Sequence, residues 1–196
     1  MIDLSRYQGI IFDMDGTLVD SMGVHVEAWQ VTCREFGYPF DREYHHSLGG
    51  VPTAETAVLL NKRYGCEHDP YAVAAFKKKV FDELEDLPAL IEDTHIIFQR
   101  YIGSKPISVG TGSDRAHATW LLSQHNLLDP LHALVTSDDV AKGKPHPDTF
   151  LLAAKKMGIA PENCVVFEDT EMGRQAAVNA GMACIMVING QVQTGL

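Results

Sequence analysis

Cysteine is scarce and scattered: Cys33, Cys66, Cys164 and Cys184 stand far apart, and no CxxC pair exists. That spacing excludes a disulfide framework and a cysteine-rich zinc knuckle. The first eight residues mix acid and base before an apolar run, unlike a signal peptide, so reduced thiols in a cytoplasmic protein are expected. No stretch of about 18 apolar residues is present, which leaves nothing to span a membrane as a helix. Positive charge is also short: 16 Lys and Arg stand against 26 Asp and Glu, a formal net charge of -10, with Lys77, Lys78 and Lys79 the sole basic cluster. A nucleic-acid backbone is therefore not an expected partner. The nine histidines include no pair at zinc-like spacing within an acidic helix, so no transition-metal site is expected. Internal repeats and low-complexity segments are absent as well.

What remains is ordinary globular composition, 196 residues with 45% hydrophobic, enough for one sizeable core or a core with a small insert. Five short runs rich in Val, Ile and Phe read as strands: Gly9 to Asp13, Pro106 to Thr111, Ala133 to Ser137, Cys164 to Glu168 and Ala183 to Ile188. Runs that continuous suit strands covered on both faces. Helices separate the later ones, capped at Ser113 or Asp114 and running to Asn126, capped at Asp148 and stopping at Gly158, capped at Thr170 and stopping at Gly181. Alternation of strand and helix predicts an α/β fold, a doubly wound parallel sheet with helices on both sides.

More than ninety residues separate the first two strands, far too many for one crossover helix. Val24, Ala28, Val31 and Trp29, Thr32, Phe36 recur at helical spacing before Gly37, and Asp69-Pro70 is a cap with proline at the first helical position. Residues 21–90 are read as a helical domain inserted into a core of residues 1–20 and 91–196. Trp29 and Phe36 are assigned to the core of the insert.

Chemistry gathers at the strand ends. The first strand runs into Asp13-Met14-Asp15-Gly16-Thr17, and alternation aims both carboxylates beyond the sheet, where ligands of open α/β sheets bind. The second ends Thr111-Gly112-Ser113, a hydroxyl with backbone N–H groups at a helix start, a common phosphate cradle. Gly143-Lys144-Pro145-His146-Pro147 stiffens a lysine between prolines, and the fourth strand ends Glu168-Asp169. Four carboxylates, a lysine and a hydroxyl around one crevice require a cation, and oxygen ligands beside a phosphate favour Mg2+. An acidic chain can bind a phosphorylated metabolite where one pocket gathers such a metal and a lysine.

Those four motifs, in order, with Glu168-Asp169-Thr170-x-x-Gly173-x-x-Ala176-Ala177-x-x-Ala180-Gly181-Met182, resemble the haloacid dehalogenase superfamily of phosphotransferases. The pattern is most similar to the beta-phosphoglucomutase-like subfamily, and within it to bacterial sugar phosphatases of the fructose-1-phosphate phosphatase type. The resemblance implies Asp13 as nucleophile, Asp15 as general acid and base, and Thr111, Gly112 and Lys144 as holders of the phosphoryl group. It implies Mg2+ on Asp13, Asp169 and the main-chain carbonyl of Asp15, with Glu168 joining directly or through water. His25 matches a cap histidine that approaches the sugar, the alternative being an exposed histidine on the first cap helix. Gly50 and Thr53 belong to the loop His45 to Thr53, which would face the leaving group.

Rival functions are weaker. A phosphorylated receiver module is shorter and has no insert after its first strand. A dehalogenase of this superfamily lacks an acid at position 15, and the polar set is too complete for a dead site. A mutase of the subfamily places lysine and arginine where this chain has Gly49 and Thr53, so the expected activity is hydrolysis of a small sugar monophosphate by a monomer or weak homo-oligomer.

Overall fold

The computed structural model describes residues 2–84 and 87–193. The five apolar runs form β1 (Gly9–Phe12), β2 (Ile107–Gly110), β3 (Ala133–Val135), β4 (Cys164–Glu168) and β5 (Ala183–Ile188), all parallel. Their order is β3-β2-β1-β4-β5, extended by an antiparallel edge strand β6 (Gln191–Val192). Sequence reading stopped at Ile188 and missed β6. Its signal was the Asn189-Gly190 pair, whose φ angles of 51° and 74° make the two-residue turn that suits a hairpin.

Alternate residues of the strands serve two cores, which is why the parallel strands are apolar on both faces apart from Ser108 and the terminal Glu168. Ile10, Phe12, Val109, Val165 and Phe167 face one side with Ile97 and Phe98 of α5 (Glu92–Tyr101) and Leu121 and Leu122 of α6 (Arg115–Gln124). Ile11, Val135 and Val166 face the other with Phe150 and Ala153 of α7 (Asp148–Met157) and Ala176 and Ala177 of α8 (Glu171–Asn179).

Helix ends differ in detail from the expected ones. Asp114 caps α6 by accepting from the His117 N–H, and the helix stops at Gln124 instead of Asn126. Asp148 is not a cap: Pro147 takes that place and Asp148 is the first helical residue, its carboxylate favoured by the helix dipole. Thr170 does cap α8, through the Gly173 N–H. The third strand ends at Val135 because Thr136 and Asp139 form a capping box for a short 3-10 turn.

Between β1 and α5 lie four helices, α1 (Met22–Phe36), α2 (Arg42–Ser47), α3 (Thr53–Tyr64) and α4 (Pro70–Glu83). They share apolar clusters of their own, Trp29, Cys33, Leu60 and Val73 in one, Ala28, Val80 and Phe81 in another. Asp69 caps α4 with Pro70 in its first turn, and Gly37 ends α1 in the left-handed conformation. The two connections between this layer and the sheet run side by side. The Asp20 N–H donates to Ala89 O at 2.8 Å and the Ile91 N–H to Leu18 O at 2.9 Å. The span read as an insert, 21–90, includes residues 85 and 86, which lie outside the described residues.

Candidate active site

Strand order reverses at β1, so the crevice beyond β1, β2 and β4 is the topological switch point where open α/β sheets hold ligands. Asp13 follows β1 there, anchored by its N–H to Phe167 O at 2.9 Å and almost fully buried. Its Oδ1 accepts from Lys144 Nζ at 2.6 Å, and the same ammonium donates to Glu168 Oε1 at 2.6 Å. Lys144 also lies 4.9 Å from the centre of the Phe150 ring, which adds a cation–π contact. Glu168 turns its other oxygen to the Thr170 N–H (2.6 Å) and hydroxyl (2.9 Å). Asp169 accepts from the Thr17 hydroxyl at 3.2 Å.

Two glycines of the motifs exist for these carboxylates. Gly16 takes φ 79°, and a Cβ there would sit 2.2 Å from Asp169 Oδ2; a Cβ on Gly173 would sit 1.8 Å from Glu168 Oε1. Any side chain at either position displaces an acid.

Oxygen atoms of Asp13, Glu168 and Asp169 lie within 4.8 Å of one another, with Lys144 the basic group bonded to two of them. Three acids against one ammonium leave excess negative charge. Burial pushes Asp13 well above the usual carboxylate range against the pull of Lys144, with Glu168 and Asp169 adding repulsion. Burial likewise raises Asp169 to about 7, Glu168 reinforcing and Lys144 opposing. Burial works to lower Lys144, but Asp13 and Glu168 outweigh it and hold its pKa above the ordinary value. An all-oxygen, under-neutralised trio fits a hard divalent cation.

Asp15 faces a different set. It accepts from the Ser21 hydroxyl (2.6 Å), the Ser113 hydroxyl (2.7 Å) and His25 Nε2 (3.1 Å). Lys77 Nζ lies 2.6 Å from His25 Nδ1. An ammonium only donates, so Nδ1 accepts and Nε2 carries the proton given to Asp15. Burial would raise Asp15, but His25 and the hydroxyls more than reverse it and hold the carboxyl far below the usual range. Burial and the Lys77 charge lower His25, with Asp15 opposing them. Burial lowers Lys77 to about 8, with Asp15 resisting.

The cavity beside Asp13 and Asp15 is lined by His25, Lys77, Thr111, Gly112, Gly50 and Thr53, among others. Of the residues expected at the site, Asp13, Asp15, His25, Gly50, Thr53, Thr111 and Gly112 line this cavity, whereas Lys144, Glu168 and Asp169 stand in the acidic group around Asp13; His25 is not an exposed helix residue. Thr111 Oγ1 accepts from the Ser113 N–H at 3.0 Å. The loop between α2 and α3 closes on the strand ends: a Cβ on Gly112 would lie 2.3 Å from Gly50 O, and one on Gly49 would lie 2.7 Å from Thr170 Cγ2.

Sequence reasoning missed four residues. Lys77 reads as one of three surface lysines but is 5% exposed and lines the cavity; its helical offset from Val73, Val80 and Phe81, all buried, was the available signal. Ser21 reads as part of the link to the insert, and Ser113 as a cap candidate and the end of the Thr111-Gly112-Ser113 cradle; neither reading connects them to Asp15. His117, given no role by the sequence, lies beside His25 with ring centroids 6.2 Å apart, and together with Asp15 the two histidines form a group of metal-ligand spacing. Trp29, assigned to the insert's core, is buried there but also lines the cavity.

The haloacid dehalogenase-like hydrolase family matches residues 10–187. The fructose-1-phosphate phosphatase YqaB of Escherichia coli (strain K12) is 39% identical over 187 residues, covering 93% of this chain and 97% of that one. Beta-phosphoglucomutase of Bacillus subtilis (strain 168) is 30% identical, covering 96% and 86%. A Bacteroides vulgatus structure, described as a candidate beta-phosphoglucomutase, superposes with a TM-score of 0.84 at 28% identity, covering 95% of this chain and 78% of that one.

Proposed function

We propose that this chain, which belongs to the haloacid dehalogenase-like hydrolases and is a phosphoric monoester hydrolase of the beta-phosphoglucomutase-like subfamily, hydrolyses a small sugar monophosphate with Mg2+ through an aspartyl-phosphate on Asp13. The observation that carries this reading is the buried Lys144 ammonium at 2.6 Å from Asp13, beside Glu168 and Asp169. One charged lysine offsets repulsion between the Asp13 carboxylate and an incoming phosphate.

In this mechanism Asp13, Asp169 and the main-chain carbonyl of Asp15 hold Mg2+, with Glu168 joining directly or through water. The ion, when bound, neutralises charge on the phosphoryl oxygens. An Asp13 oxygen attacks phosphorus, the bond from phosphorus to the sugar oxygen breaks, and Asp15 gives that oxygen a proton. Water then attacks the phosphoryl group, the bond to Asp13 breaks, and Asp15 takes the proton of the water. Asp15 is ionised in the arrangement described above, as the second step needs. An arriving phosphate raises its proton affinity by like-charge repulsion, as the first step needs. Lys144 and Thr111 hold phosphoryl oxygens, and the Gly112 N–H is positioned beside them.

The helical layer, residues 21–90, acts as a cap that opens about the paired connections at Leu18–Ser21 and Ala89–Ile91 and closes to exclude water. Its loop supports hydrolysis over phosphate transfer between sugar positions. Gly49 and Thr53 offer no cation to a second phosphate, and Lys77 is engaged with His25. The similarity to a fructose-1-phosphate phosphatase supports a ketohexose 1-phosphate as substrate. The mutase reading is not favoured.

A panel of sugar phosphates assayed with Mg2+ for released phosphate tests the reading. Hexose monophosphates should be hydrolysed, and beta-glucose 1-phosphate with a bisphosphate primer should give glucose and phosphate. Efficient formation of glucose 6-phosphate would overturn it.

A further inference from the structure

Outside the acidic trio, the structure brings together a second group with metal-binding chemistry. One ligand atom each from Asp15, His25 and His117 lies within 4.8 Å of the other two. They come from the end of β1, from α1 in the helical layer and from α6 in the sheet layer, so the group straddles the seam between layers. His117 is 8% exposed, and its Nε2 has no hydrogen-bond partner among the described residues. A buried imidazole nitrogen left unpaired is costly, and nothing in the hydrolytic reading uses it.

We infer that Asp15, His25 and His117 form a second cation site, selective for a borderline ion such as Zn2+, whose occupation locks the cap shut and silences the enzyme. Two imidazoles and a carboxylate suit Zn2+, whereas the all-oxygen trio suits Mg2+. Ligands of a tetrahedral Zn2+ with bonds of about 2.1 Å stand roughly 3.4 Å apart. The Asp15–His25 pair, at 3.1 Å, is already close to that spacing, and a ligand atom of His117 lies within 4.8 Å of both. Binding displaces the Nε2 proton of His25 to solvent, and Lys77 passes its shared proton to Nδ1. The fourth position is left for water. Silencing rests on the role proposed above for Asp15, while binding itself does not. His117 makes no contact with the acidic trio among the described hydrogen bonds and ion pairs, so it is a handle on this site alone.

The test uses the Mg2+-saturated full chain, with Co2+ as a spectroscopic stand-in for Zn2+ and Zn2+ as inhibitor of phosphate release. One Co2+ should bind with a tetrahedral visible spectrum. His117→Phe, which keeps the ring against Phe81, should weaken it by more than about tenfold, since even outer-shell partners of metal ligands matter that much. Zn2+ inhibition of the unmodified chain should persist at saturating Mg2+, reverse with chelator, and be relieved to the same degree in His117→Phe. Octahedral Co2+ only, a thiolate-to-Co2+ band marking Cys33 and His45, whose Sγ and Nε2 stand 3.4 Å apart, or Zn2+ inhibition abolished by excess Mg2+ would overturn the proposal. The last arm needs no variant. Co2+ bound as described to a protein without phosphatase activity would sink the hydrolytic reading and leave the site standing.

Discussion

Gly112, in the loop after β2, lies directly against the carbonyl of Gly50 in the loop between α2 and α3, so close that a Cβ on Gly112 would come 2.3 Å from that oxygen. The contact joins the helical layer to the loop proposed to hold the phosphoryl group. Gly112→Ala should hold the two apart, lowering kcat/KM by about a hundredfold, the cost of roughly 1 Å of misplacement in an active site. Unfolding midpoints should barely move, because the contact lies outside the apolar cores. Unchanged kcat/KM would show that this closure is irrelevant to turnover.

Asp13→Asn keeps shape but removes the carboxylate proposed as nucleophile, so kcat should fall by roughly four orders of magnitude and no acid-stable phosphoenzyme should be trapped. The same variant should be no less stable than the unmodified chain in EDTA at neutral pH, because burial penalises the Asp13 charge. Calorimetry beside quench-flow separates the two effects.

The acidic trio makes the metal-free protein sensitive to pH in a defined direction. Asp169 has its pKa raised from 3.8 to about 7. Between those values the folded state binds more protons than the unfolded state, so stability should decline as pH rises from about 4 to 7. Mg2+ should restore it, with a larger gain in unfolding midpoint at pH 8 than at pH 5. A gain independent of pH would mean that the ion binds elsewhere.

Lys77 fixes the tautomer of His25, so Lys77→Met should lower kcat/KM by about a hundredfold, the scale of a mispositioned acid–base group. In the unmodified chain kcat/KM should decline above pH 8, where Lys77 loses its proton. That alkaline limb should vanish in the variant. Its persistence would assign it to another group.

Gly173→Ala tests the packing beneath Glu168, where a Cβ would stand 1.8 Å from Oε1. Overpacking of this kind typically costs about 1–3 kcal/mol, and here it should also loosen Lys144. Chemical denaturation should show the loss together with weaker Mg2+ binding. A variant with unchanged stability and Mg2+ affinity would mean that Glu168 can move without consequence.

The sequence by itself determined the doubly wound sheet, because five runs rich in Val, Ile and Phe separated by helical segments suit parallel strands covered on both faces, and Asp13, Asp15, Glu168 and Asp169 stand at or just beyond the ends of two of them. Local chemistry also marked Thr170 and Asp69 as caps. Only the tertiary structure decided that Asp13 and Asp15 serve different neighbourhoods, one with Lys144 and Glu168, the other with Ser21, Ser113 and His25. It also decided that Lys77 enters the cavity and that His117, 92 residues along the chain from His25, stands beside it. The physical reason is distance along the chain: periodicity reports which face of one element is buried, whereas the meeting of α1, α4 and α6 over β1 depends on how separate elements pack, and no local pattern encodes that.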